Sequence, residues 1–134
     1  MLLPHGTVVA VIDGRTLELY RNTGDAAAPE LEALPSPALG TLNHSGAGHH
    51  SSTGNHEGNM VDEDAHAIAA AQWLNGEVLS HRLDKLVIIA PPRTLGELRR
   101  HFHKQTEQAI MHELNKDYVG KPPSEVLEAL REKN

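Results

Sequence analysis

Two apolar stretches decide the fold of this chain: TVVAVI at residues 7–12 and LVIIA at residues 86–90. Continuous apolar runs rich in β-branched residues are typical of strands buried on both faces, and such strands lie at the centre of α/β sheets. The turn-forming pair Asp13-Gly14 follows the first stretch, and Pro91-Pro92 stops the second. The sequence therefore predicts two central strands with these ends.

The residues that follow the first stretch predict a hairpin and a short third strand. Residues 16–21 (TLELYR) alternate between polar and apolar, which is typical of a half-exposed strand. The turn before them is tight, so we expect this strand to pair with the first one. Residues 31–34 (LEAL) predict a short strand that ends at Pro35.

Helices are predicted on both sides of the second stretch. From Asp62 to Val78, apolar residues recur at three- and four-residue steps and acids occupy the first turn. Thr94 and Glu97 fit a capping box at the start of another helix. Pro122-Pro123 opens a last helix, because proline is favoured in a first turn. The periodicity of residues 105–114 fits a continuing helix and, at its end, a strand.

Length and composition predict one α/β domain. The chain has 134 residues, which is enough for one domain and too few for two ordinary ones. The order of the predicted elements argues for an α/β sandwich around a mixed sheet. Because the chain has no cysteine, disulfides, thiolate metal sites and cysteine nucleophiles are excluded. The net charge of −6 disfavours nonspecific binding to nucleic acid or anionic membranes.

The sequence predicts a cytoplasmic protein. Residues 1–6 lack the basic region and the apolar segment of a secretory signal. No apolar run approaches the roughly 20 residues that span a bilayer. We therefore expect no membrane insertion.

Residues 40–59 differ in composition from the rest of the chain. They contain five glycines and four histidines and almost nothing apolar. Such a segment buries too little surface to offset its ordering entropy. We therefore expect residues 40–59 to form a disordered Gly/His/Ser-rich loop inside the single domain 1–134.

A basic segment is the strongest candidate binding site. Residues 85–104 contain five Lys and Arg residues and one acidic residue, Glu97. The four that we assign to an anion or RNA site are Arg93, Arg99, Arg100 and Lys104. Backbone N–H groups at the start of a helix suit an anion, and Arg93 lies at such a start. The alternative is an ordinary solvated helix face. With only four aromatic residues in the chain, an RNA contact would be directed at the backbone.

Metal chemistry is a second interpretation. Imidazole is a common metal ligand, so the histidines of residues 40–59, with Glu57, could surround an ion. These histidines are His44, His49, His50 and His56. Their irregular spacing favours a polar linker instead. Two-metal hydrolysis by Asp13, Asp64, Asp84 and Asp117 would need these carboxylates to converge. We assign no catalytic residue, metal or cofactor.

Several motifs resemble the bacterial host attachment protein family along nearly the whole chain. The most specific is LVIIAPPR at residues 86–93, followed by LGELR at residues 95–99. The strand that ends in Asp13-Gly14, the TLELY stretch and ELNKDY at residues 113–118 are also similar to this family. The family is related to the middle domain of archaeo-eukaryotic translational release factors.

This resemblance implies a mixed sheet of roughly five strands, with helices on both faces. It also implies that residues 109–114 form the last strand. Catalytic release factors carry a Gly-Gly-Gln tripeptide for peptidyl-tRNA hydrolysis, and this sequence has none; the nearest stretch, residues 54–59 (GNHEGN), does not match. The family name implies a role in host attachment.

These observations together predict a non-enzymatic, release-factor-like binding domain. Its expected partner is ribosomal RNA or a ribosome-associated protein, reached through the basic segment and without DNA binding. The alternative is a small metal-dependent hydrolase that uses the acids or the loop histidines. The oligomeric state stays open.

Overall fold

A computed structural model describes residues 2–39 and 56–132 of the chain, and the side chains of residues 2–39 and 61–131. Within them the elements are, in chain order, β1 (Val8–Ile12), β2 (Leu17–Asn22), β3 (Leu31–Leu34), α1 (His56–Leu79), β4 (Leu86–Ile89), α2 (Pro92–His101), α3 (Lys104–Ala109), β5 (Ile110–Leu114) and α4 (Pro123–Glu132). Both apolar stretches form strands, as predicted.

The five strands form one mixed sheet in the order β3-β2-β1-β4-β5. The tight turn after β1 makes β2 antiparallel to it, and β3 is antiparallel to β2. Helical crossovers make β4 parallel to β1 and β5 parallel to β4. The predicted α/β fold with a mixed five-stranded sheet is therefore confirmed.

The sheet has a hydrophobic core on each face. Alternate residues of β1 and β4 point to opposite sides, so each of these strands contributes to both cores. On one side Ala10 and Ile88 pack with the apolar faces of α1 and α2. On the other side Val9 and Val87 pack with α4 and the amino-terminal Leu3. This arrangement explains why β1 and β4 are apolar throughout, and it confirms helices on both faces.

Helix α1 begins at His56 rather than at the predicted Asp62. The last four residues of the predicted loop, 56–59, therefore belong to the helix. The prediction of disorder for residues 40–55 falls outside the described residues, as do His44, His49 and His50.

The predicted capping box at Thr94 and Glu97 is wrong. Helix α2 begins at Pro92, and its N-cap residue is Pro91, with no side-chain cap. The fixed φ of proline suits the first helical position, so the helix starts three residues earlier than the capping box predicts. Thr94 is consequently buried inside the first turn, and Glu97 contacts His101 and Arg100 instead.

The ambiguous residues 105–114 divide between a helix and a strand. Helix α3 ends at Ala109, and β5 follows at once from Ile110 to Leu114. The fully buried hydroxyl of Thr106 donates to Asn75 Oδ1 on α1 at 2.7 Å, which holds α3 against the neighbouring helix. Beyond that point the chain pairs with β4, which confirms the strand that the family resemblance implied.

Asn22 secures the other end of the sheet. Its side chain is completely buried at the end of β2. The amide Nδ2 donates to Leu3 O at 2.7 Å, and Oδ1 accepts from Gly24 N and Glu30 N at 2.9 Å each. One side chain thus joins the amino-terminal segment to the turn that leads into β3.

Candidate functional site

The four predicted cations lie on α2 and at the start of α3. Helix α2 buries Leu95 and Leu98 in the core, which leaves Arg93, Arg99 and Arg100 exposed. Lys104 is exposed at the first position of α3. The four residues are not all together, because Arg93 is at the amino-terminal end of α2, Arg99 and Arg100 are in its last turn, and Lys104 begins α3.

Arg93 bridges two helices. Its Nη2 donates to Asp64 Oδ2 on α1 at 3.0 Å. The backbone beside it has one free donor fewer than most helix starts, since Pro92, the first helical residue, carries no N–H. The helix start is therefore a weaker anion site than the sequence predicted.

Arg99 and Arg100 also contact carboxylates. Arg99 donates from Nε and Nη2 to Glu113 Oε1 on β5, at 2.9 and 2.6 Å. Arg100 lies 3.8 Å from Glu97 Oε1, one turn earlier on α2. Residues 85–104 include Glu97 but neither Asp64 nor Glu113. The folded surface around these cations is therefore less basic than the composition of that segment predicts.

These pairs are open to solvent. The side chain of Arg99 is 58% exposed and that of Arg93 is 51% exposed. Exposed ion pairs contribute roughly 0–1 kcal/mol, so these carboxylates hold the arginines only weakly. Among the described residues, Lys104 has no carboxylate within the 4.0 Å of an ion pair.

The four aspartates of the hydrolase interpretation do not converge on a metal. Asp13 accepts from Arg15 N and Thr16 N at 2.8 and 2.7 Å, so it caps the β1–β2 turn. Asp64 pairs with Arg93, and Asp84 lies 3.9 Å from Lys85. Within residues 2–39 and 61–131, no three His, Asp or Glu side chains are placed to hold a metal ion.

Two side chains away from these cations have raised pKa values. Burial, and then the nearby Glu18 carboxylate, raise the pKa of the Tyr20 hydroxyl on β2. A hydrogen bond to Glu77 raises the pKa of Arg82 after α1. Both shifts have local structural causes and neither marks a reactive group.

The structure also contains a groove that the sequence did not reveal. It has a volume of about 590 Å³ and runs along β5, the strand at the edge of the sheet. Its lining residues are Arg99, Phe102, Glu107, Ile110, Met111, His112 and Glu113. Only the strand order places β5 at an edge, and the sequence patterns did not determine that order.

The described helices include none that is both long and apolar enough to cross a membrane.

No curated protein matches the chain. The family model described as bacterial archaeo-eukaryotic release factor family 12 matches residues 6–130. This match supports the release-factor part of the resemblance and gives no support to host attachment. Because it spans both cores and all five strands, the chain belongs to bacterial archaeo-eukaryotic release factor family 12.

Proposed function

We propose that this protein is a non-catalytic binding domain of the translation apparatus, which contacts ribosomal RNA through the exposed cations of α2 and α3. The observation that carries this proposal is the exposure of Arg100 and Lys104 in a chain of a release-factor family. The non-catalytic assignment rests on the sequence, which has no Gly-Gly-Gln tripeptide. Neither host attachment nor metal-dependent hydrolysis forms part of the proposal.

The contact is electrostatic and local. The chain has a net charge of −6, so its attraction to RNA must come from one face rather than from the whole surface. Guanidinium groups bind phosphate through two parallel hydrogen bonds, and the exposed Arg93–Asp64 pair is weak enough to be replaced. The few aromatic side chains leave the phosphate backbone as the target.

A phosphate contact makes the affinity depend on salt. Each neutralised phosphate of a single strand contributes about 0.7 to the negative slope of log K against log salt. Two cations that each contact one phosphate therefore contribute about 1.4 to this slope. Such contacts position the domain without reading base sequence, so we expect similar affinities for unrelated RNA sequences.

The test is a salt titration of binding to ribosomal subunits and to a model single-stranded RNA. The variant is Arg100→Ala with Lys104→Ala, which leaves the Arg99–Glu113 and Arg93–Asp64 pairs intact. The matched control is Lys121→Ala with Arg131→Ala, which removes the same charge from the side of the sheet where α4 packs. We expect the first pair to reduce the salt slope by about 1.4 and the control pair to leave it unchanged.

Two results would contradict the proposal. An equal reduction of the salt slope in both double variants would show that binding depends only on the net charge of the protein. An unchanged slope in the α2–α3 variant would show that these cations are an ordinary solvated surface. The single variant Arg93→Ala then reports whether the other end of α2 takes part.

A further inference from the structure

The edge of the sheet at β5 offers unpaired backbone groups. Within the described residues, β4 is the strand that pairs with β5. Ala90 N donates to Leu114 O at 3.0 Å, so the backbone groups of Leu114 point toward β4. Successive residues of a strand direct these groups to opposite sides, and the N–H and C=O of Glu113 therefore point to the open side.

The groove beside this edge has a mostly polar lining that includes three apolar side chains. Phe102 is 9% exposed and belongs to the core, and Ile110 and Met111 are partly buried against the two cores. These side chains lie beside the open backbone groups of β5. The combination suits an extended peptide, which can pair its backbone with β5 and place alternate side chains in the groove.

The charges of the groove favour a basic peptide. Arg99 is the guanidinium of the groove, and both of its hydrogen bonds go to Oε1 of Glu113, which leaves Oε2 as an acceptor. The Glu107 carboxylate has no ion-pair partner among the described residues. Besides His112, the ionisable lining residues are two carboxylates and one paired cation, which together favour Lys or Arg over phosphate. A second copy of the chain would bring its own Glu113 and add like charge.

We propose that the β5 edge binds an extended basic segment of a partner protein, which adds to the sheet as a sixth strand. This surface is separate from Arg100 and Lys104 and goes beyond the proposed RNA contact. Backbone pairing supplies the affinity, and Glu107 and Glu113 select basic side chains.

The test is an amide NMR titration of the full chain with the peptide acetyl-(Lys-Val)3-amide. We expect saturable shifts at residues 110–114 and none at β3. The acidic peptide acetyl-(Glu-Val)3-amide should not bind. A Lys-Val peptide that is N-methylated at alternate residues keeps its charge but cannot pair fully, and it should also fail to bind.

Variants of the protein test whether the groove carboxylates select basic side chains. Glu107→Gln should weaken binding of the Lys-Val peptide roughly three- to fivefold, the effect of one exposed ion pair. Glu125→Gln, at an exposed position in the first turn of α4, is the matched control and should have no effect. The Arg100→Ala, Lys104→Ala variant should bind the peptide normally, which separates this proposal from the RNA contact.

Several outcomes would overturn the proposal. Equal binding of the acidic or N-methylated peptide would exclude strand addition with basic selection, and absence of any binding would exclude the site. Shifts of residues 110–114 that depend on protein concentration alone would identify a second copy as the occupant. Stronger shifts of the same amides with a single-stranded RNA would assign the groove to nucleic acid.

Discussion

The two edges of the sheet are built differently. At β3 the strand is four residues long, Pro29 and Pro35 flank it, and the buried Asn22 fastens the turn that leads into it. At β5 the side-chain contact to the neighbouring helix α2 is the Arg99–Glu113 pair, which is open to solvent. A groove of about 590 Å³ accompanies β5.

The two edges differ in how well they are protected from pairing with other chains. Short strands, prolines and charge are common ways to protect an edge from pairing with other chains, and β3 has all three, since Glu32 is exposed there. The ion pair at β5 is exposed, and among the described residues β5 has a neighbouring strand on one side only. Stability should therefore depend strongly on the β3 edge and weakly on the β5 edge.

The largest effect is expected for Asn22→Ala. The substitution leaves Leu3 O, Gly24 N and Glu30 N without their buried partner. Each unsatisfied buried group costs about 1–3 kcal/mol, and partial access of water will relieve some of this cost. We expect the free energy of unfolding to fall by about 2–4 kcal/mol in urea denaturation. Asn115→Ala, at an exposed position, is the control, and a loss below about 1 kcal/mol in Asn22→Ala would contradict the role of this side chain.

Gly24→Ala should have the next largest effect. A Cβ at Gly24 would lie 2.4 Å from Ala28 O and 3.0 Å from Glu30 N, and both are backbone atoms that the turn holds in place. Overpacking of this kind costs about 1–3 kcal/mol. At Gly96 in α2 a Cβ meets nothing within 4 Å. The same substitution there should stabilise the protein by up to about 1 kcal/mol, because alanine favours a helix. Thermal unfolding of the two variants should therefore shift in opposite directions.

The smallest effect is expected at the β5 edge, for Arg99→Gln. The pair with Glu113 is exposed, so its loss should lower the free energy of unfolding by less than about 1 kcal/mol. A double-mutant cycle with Glu113→Gln measures this coupling directly, and added salt should reduce it further. A coupling above about 2 kcal/mol would show that the pair is structural and that the two edges are more alike than their contacts indicate.

Much of the fold could be predicted from local sequence, but its boundaries depended on context. The stretches at residues 7–12 and 86–90 are apolar because their strands face two cores, so their burial was visible in the sequence. The capping box failed because a proline start at Pro92 took precedence over the Thr94 pattern. Residues 105–114 were ambiguous because the contacts that end α3 and begin β5 are with Asn75 and β4, both distant in the chain.

The candidate site was less predictable than the fold. The sequence identified Arg93, Arg99, Arg100 and Lys104 as exposed cations on a helix, and they are exposed. Their partners Asp64 and Glu113 are 29 and 14 residues away from the arginines they contact, so no local window could show them. The β5 groove depends on strand order, which local patterns do not encode.

The sequence by itself determined the two central strands, the α/β class, the lack of cysteine chemistry and the position of the cations. These properties depend on hydrophobic pattern and residue type, which act over a few neighbouring residues. The tertiary structure alone decided which carboxylates meet those cations, which strands lie at the edges of the sheet and that Asn22 is buried among backbone partners. Each of these depends on contacts between residues far apart in the chain, and only the folded backbone brings such residues together.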